Sequence, residues 1–196
     1  MRCALKSLFV ATMLMQAPFA FAQEAESPSP ADPIKELSLG EPAGPQVGDT
    51  YVAGTFGDWA KRCQKAPEGQ QDPCNLYQLL TDENDAPVAE FSLFRLPDGA
   101  RAIAGATIVA PLETLLTQQL TLTVDRNEAR RYPFSFCNAG GCVARVGFTQ
   151  TEVDQFKRGA AGTVRLVPAA APDAEVVLTL SLAGFTAAYD ALSARD

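Results

Sequence analysis

The chain has 196 residues, a formal net charge of −7, five cysteines and no histidine. An acidic balance argues against nucleic acid and anionic lipid as partners, because both need clustered cations. Without histidine the commonest general base and the commonest metal ligand are both missing, which argues against triad hydrolases and most zinc sites.

Arg2 and Lys6 precede an apolar run over residues 8–15, and Ala20-Phe21-Ala22 supplies a small-x-small cleavage pattern. Residues 1–22 therefore read as a secretion signal, removed before Gln23. The run is shorter than the roughly 20 residues a membrane span requires, and no later run approaches that length. No transmembrane segment is expected once the signal is gone. Cys3 leaves with the leader, and so do two cations, making the mature chain more acidic still. Residues 23–49 hold Pro28, Pro30, Pro33, Pro42 and Pro45, with six acids against the single base Lys35. Such a stretch buries too little apolar surface to offset its ordering entropy, so it reads as a disordered tether. Ile34, Leu37 and Leu39 leave open an extended arm that docks on a partner.

Residues 50–196 make one ordinary domain, long enough for a real core. Alternation of apolar and polar residues dominates it. Leu120, Leu122 and Val124 alternate with threonines and Asp125, and Val176, Leu178, Leu180 and Leu182 with Val177, Thr179 and Ser181. Tyr132, Phe134 and Phe136 alternate in the same way, predicting one strand with these three rings on one face. Further strands are predicted over 51–56, 76–80, 88–96, 101–109, 143–148 and 163–167. Pro97-Asp98-Gly99 and Asn138-Ala139-Gly140-Gly141 are turns, each joining two strands. Thr149-Gln150-Thr151-Glu152 has the form of a capping box, and Gly159 marks a stop, predicting a short helix between them. Phe185, Ala188, Tyr189 and Leu192 follow helical spacing and predict a second. The fold class is all-β, an antiparallel β-sandwich or flattened barrel with two short helices.

Cys63, Cys74, Cys137 and Cys142 remain after cleavage and allow three connectivities. The local pairs are favoured. Cys137 and Cys142 flank a turn that brings their Cα atoms within range, and Cys63 with Cys74 would tie an early strand to the next. Loop-closure entropy gives about 2–3 kcal/mol for each. Neither spacing matches a redox pair or a zinc site, so these are read as structural disulfides. Asp82, Glu83 and Asp85 lack the ligand pattern of a calcium loop and read as a solvated turn. Asp58, Glu90 and Glu113 are carboxylates from which a glycosidase pair could be drawn, though nothing marks any two of them. Arg130, Arg131, Lys61 and Arg62 read as charged edge-strand residues, with a carboxylate or sulfate on a ligand as the alternative. Trp59, the only tryptophan, reads as a buried ring beside the Cys63 disulfide. No cofactor site and no metal site are expected.

Gly57-Asp58-Trp59 followed by Cys63 and Cys74, the segment Phe136-Cys137-Asn138-Ala139-Gly140-Gly141-Cys142, and the closing Leu180-Ser181-Leu182-Ala183-Gly184-Phe185 together resemble the invasion-associated locus B family. The resemblance covers residues 51–192. It implies an exported protein of Gram-negative bacteria, periplasmic or at the outer surface, linked in pathogenic members to entry into host cells, erythrocytes in particular. It brings no catalytic residues, and implies structural roles for Trp59, the four cysteines, Gly184 and Phe185. The expectation is a non-enzymatic binding protein whose partner is a protein, a glycan or an envelope component. An envelope hydrolase using a carboxylate pair, or a structural or chaperone-like envelope module, are the alternatives.

Overall fold

The computed structural model describes residue 40 and residues 43–97 and 99–192. Eleven strands form among them: β1 (Thr50–Phe56), β2 (Trp59–Gln64), β3 (Cys74–Thr81), β4 (Pro87–Arg95), β5 (Ala104–Ala110), β6 (Leu120–Val124), β7 (Arg130–Tyr132), β8 (Phe134–Asn138), β9 (Gly141–Phe148), β10 (Ala161–Leu166) and β11 (Val176–Ser181). Helices α1 (Gln150–Arg158) and α2 (Phe185–Asp190) accompany them. Nine strands follow one antiparallel path, β7-β6-β10-β11-β3-β4-β5-β9-β8, and β1 joins it through β2 and β3. The two end strands of the path, β7 and β8, are separated in the chain by Pro133 alone. The sheet therefore curls round until its ends come together as a nearly closed barrel. Of the two architectures the sequence allows, the barrel is the one formed.

Alternation decides which face of each strand turns inward. On β5, Ala104, Ala106, Ile108 and Ala110 pair with Phe148, Val146, Ala144 and Cys142 of β9, and all eight are buried. Small residues opposite larger ones let side chains fill a narrow barrel. Leu122, Val164 and Leu178 form a similar inward row across β6, β10 and β11.

Both helices start where the sequence places them. Thr149 accepts the Glu152 N–H, while the Glu152 carboxylate accepts the Thr149 N–H at 2.8 Å, completing the capping box. Gly159 ends α1 for a reason of space. A Cβ there would lie 2.7 Å from Leu182 Cδ1 and 2.9 Å from the Gln155 carbonyl. Phe185, Ala188, Tyr189 and Leu192 are buried, so α2 lays the expected face on the core.

Three features depart from the sequence reading. The Tyr132–Phe136 stretch is two strands, because Pro133 has no N–H for a ladder and the chain changes partner there, from β6 to β9. A register shift between Phe134 and Phe136 then turns the two rings to opposite faces. Phe134 packs on the core while Phe136 is 44% exposed. Finally, β2 forms over Trp59–Gln64, where alternation is hidden by the run Ala60-Lys61-Arg62.

The leader and most of the expected tether lie outside the described residues. Within its last residues, Gln46 to Asp49 form a turn, and Gly48 and Asp49 exchange backbone hydrogen bonds with Lys65.

Candidate binding face

The barrel interior is filled by aromatic rings. Trp59, Phe91, Phe148, Phe156 and Phe185, each at most 2% exposed, form a closed circuit. Its ring-centroid distances are 5.8 Å (Trp59–Phe91), 6.5 Å (Phe91–Phe148), 5.0 Å (Phe148–Phe156), 5.3 Å (Phe156–Phe185) and 5.3 Å (Phe185–Trp59). Edge-on and tilted contacts of this kind contribute about 0.5–1.5 kcal/mol each beyond area burial. The space that holds a small ligand in wider barrels is occupied here by side chains.

Two of the segments that carry the family resemblance, Gly57-Asp58-Trp59 and Leu180 to Phe185, meet at one seam. β3 pairs with β11 only at Thr81 and Thr179, because β2 takes the start of the same β3 edge. The Gln78 side-chain amide replaces the missing rung: its Nε2 donates to the Ser181 carbonyl at 3.0 Å and its Oε1 accepts the Ser181 N–H at 2.7 Å. Trp59 Nε1 donates to the same carbonyl at 2.9 Å, and the Ser181 hydroxyl donates to the Asp58 carboxylate. Beside them the backbones touch. A Cβ on Gly184 would lie 2.2 Å from the Phe56 carbonyl oxygen, and one on Gly57 would lie 2.4 Å from that of Ala183. Both glycines have positive φ (Gly57 +57°, Gly184 +82°), the region that glycine enters without strain. Trp59, Gly184 and Phe185 thus hold β1–β2 against the end of β11. Buried Gln78 escaped the sequence reading; its only signal is a polar residue between the inward Leu76 and Leu80.

The other predicted residues are placed as follows. Cys63 is bonded to Cys74, and Cys137 to Cys142, each pair directly opposite across two paired strands. Asp82 accepts the N–H groups of Ala86, foremost, and of Asn84, which hold its carboxyl below the usual range. Asp58, Glu90 and Glu113 occupy three different elements: the β1–β2 turn, β4 and the loop after β5. Lys61 donates to the Ala191 carbonyl at 2.7 Å. Arg130 pairs with Glu152 at 2.9 Å across the mouth of a small recess. Tyr132 lines that recess, and its phenol is pushed up to about 12, first by burial and then by the Glu152 charge. Among the described residues no three Cys, Asp or Glu side chains gather as a metal-holding group.

The outward surface of β3, β4, β5, β9 and β8 has a different character. Register sets Tyr77, Ser92, Thr107 and Arg145 in one row and Leu79, Glu90, Val109, Val143 and Phe136 in the next. Leu79 is 46% exposed and Phe136 44%. The Arg145 guanidinium lies 5.4 Å from the Phe136 ring centroid, and that of Arg62 lies 3.2 Å from the Tyr77 centroid. Among the described residues neither arginine forms a salt bridge with a carboxylate. Gly105 and Gly147 sit opposite one another and floor a shallow trough, with the Phe94 ring laid across Gly105. Arginines stacked on the exposed Phe136 and the half-buried Tyr77, with Leu79 exposed beside them, match the composition of protein recognition surfaces.

The fold is thus a mostly β, nearly closed antiparallel barrel with a filled interior and its distinctive chemistry on the outside. A sequence profile described as "Invasion associated locus B (IalB) protein" matches residues 59–193, and the chain belongs to that family. A solved structure, invasion associated protein B from Bartonella henselae, is similar with a TM-score of 0.60 at 21% identity, over 72% of this chain and 92% of that one. No curated protein matches the chain. The two disulfides and the family together point to an exported protein.

Proposed function

We propose that this chain is a non-enzymatic binding protein of the cell envelope, periplasmic or at the outer surface, that engages a partner through the outward face of β3-β4-β5-β9-β8. The observation that carries the reading is the division of aromatic side chains. The inward rings close a circuit that fills the barrel, while Phe136 is turned outward by a bulge and stacked with an arginine that forms no salt bridge among the described residues. A bulge that re-aims one large ring into solvent is a feature of sites rather than of cores. The association with invasion carried in the name of the Bartonella henselae protein is extended to this chain in the same reading, as a link with host-cell entry. The test is binding of the labelled mature chain to intact envelopes and to host cells. Leu79→Asp with Phe136→Asp should weaken binding at least tenfold while the unfolding midpoint stays put. Unchanged binding by a folded double variant overturns the assignment of this face.

A further inference from the structure

β1, β7 and β8 each have a single hydrogen-bonded neighbour among the described residues, so each leaves one backbone edge open. Native proteins blunt such edges with charge, proline, shortness or irregularity. β7 is three residues long and carries Arg130 and Arg131. β8 begins directly after Pro133, is bulged between Phe134 and Phe136, and closes on a disulfide. β1 is unlike both. Its seven residues, Thr-Tyr-Val-Ala-Gly-Thr-Phe, contain neither charge nor proline, and Val52 is 58% exposed.

The edge is also held in place. β1 pairs with β2 from Thr50 to Phe56, and β2 is joined to β3 through Cys63–Cys74. The turn between β1 and β2 is locked backbone to backbone at Gly57 and Gly184. Its outer row of N–H and C=O groups, without a strand partner among the described residues, is therefore presented at little cost in ordering.

From these observations we infer that β1 is a docking edge for an extended segment of another protein, which adds to the sheet as a further strand. Two facts favour a linear segment over a second copy of this barrel. Seven residues of one strand fall far short of the roughly 20–30 residues a side that a stable protein–protein interface uses. The register shift between Val52 and Gly54 bends the edge, so two identical rigid edges would meet irregularity against irregularity. A flexible segment adjusts to the bend, takes its affinity from main-chain hydrogen bonds and its selectivity from alternate side chains beside Val52. Val52 pairs with Arg62 at the margin of the outward face, but the edge offers backbone groups and the face Leu79 and Phe136 side chains, so either assignment can fail without the other.

The experiment places a photo-crosslinking residue at Thr55 of the full chain, exports it in its own envelope, and maps the adduct by mass spectrometry. A peptide copying the captured segment is then added to the purified mature chain. Supporting the inference, the peptide slows amide exchange over residues 50–56. Val52→Lys, which charges the edge at an exposed position, weakens the peptide at least tenfold, and Val177→Lys, at 49% exposure on β11, does not. Adducts only with a second copy, no adduct at all, or protection by the peptide elsewhere on the barrel would each overturn it.

Discussion

The barrel has two interruptions, and they are closed by opposite means. Where β3 and β11 fail to pair, the gap is filled by two neutral, buried groups, the Gln78 amide and the Trp59 indole, beside the close backbone approach of Gly57 and Gly184 at the surface. Where β7 and β8 meet, the chain is broken by Pro133 and secured from outside, by Arg130 reaching to Glu152 of α1 and by the Cys137–Cys142 hairpin. Groups of the first kind are costly to leave unpaired, because water cannot replace a lost partner. In the Arg130–Glu152 pair the carboxylate is 8% exposed but the arginine 58%, so solvent compensates the arginine's side of the loss. The first seam should therefore be brittle and the second forgiving.

Gly184→Ala is the strongest way to break that contrast. The new methyl would sit 2.2 Å from the Phe56 carbonyl oxygen at a φ of +82°, and a loss of about 3–5 kcal/mol is expected from clash and backbone strain together. Urea unfolding measures it; a loss under 1 kcal/mol would mean the seam can open freely. Gln78→Leu should cost about 2 kcal/mol by stranding the Ser181 N–H, while the Ser181 C=O keeps the Trp59 indole as donor, with accelerated amide exchange at Ser181 as its local signature. On the other side, replacing Cys137 and Cys142 together by Ser should cost about 2 kcal/mol, the loop-closure value for so short a loop. Glu152→Gln should cost about 1 kcal/mol, since Gln still serves a capping box and what is lost is an ion pair open to water on its Arg130 side only. If Glu152→Gln proved as damaging as Gln78→Leu, the distinction between the seams would fall.

How much of this was legible in the sequence follows the same division. Both local disulfides, the Thr149 capping box and most strands depend on neighbours close in the chain, and spacing alone reports them. The barrel's closure depends on a partner exchange at Pro133. Proline was visible there, but Tyr132, Phe134 and Phe136 kept so regular a period that they read as one strand. The bulge that turns Phe136 outward has no local signature, since an added residue in a strand shows only against its partner. Gln78 was hidden for a related reason: a lone polar residue between Leu76 and Leu80 is unremarkable until Ser181, 103 positions away, comes beside it. Trp59, Gly184 and Phe185 were legible as a pattern, while the contact that explains them was not.

The smallest effect offers the finest discrimination between the seams, because it titrates one of them. Tyr132 stands at the second, and its phenol is raised from 10.0 to about 12, by burial foremost, then by the Glu152 charge, against the opposing effect of Arg130. Below pH 10 the ring is neutral in folded and unfolded chains alike, and its contribution is fully present. Between pH 10 and 12 the unfolded chain ionises while the folded one resists, so stability falls as pH rises through that window. The full difference corresponds to about 2.7 kcal/mol, and screening at a partly exposed ring reduces it to about 1 kcal/mol. Tyr51 and Tyr189 are raised as well, so the measurement must be a difference: unfolding free energy of the wild type minus that of Tyr132→Phe, followed from pH 9 to pH 12. That difference should be flat to pH 10 and then decline by about 1 kcal/mol. Repeating it on a Glu152→Gln background should narrow the window from above, because removing the neighbouring negative charge lets the folded phenol ionise earlier. A decline of unchanged width would show that burial alone sets the phenol, and that α1 closes this seam by packing without help from charge.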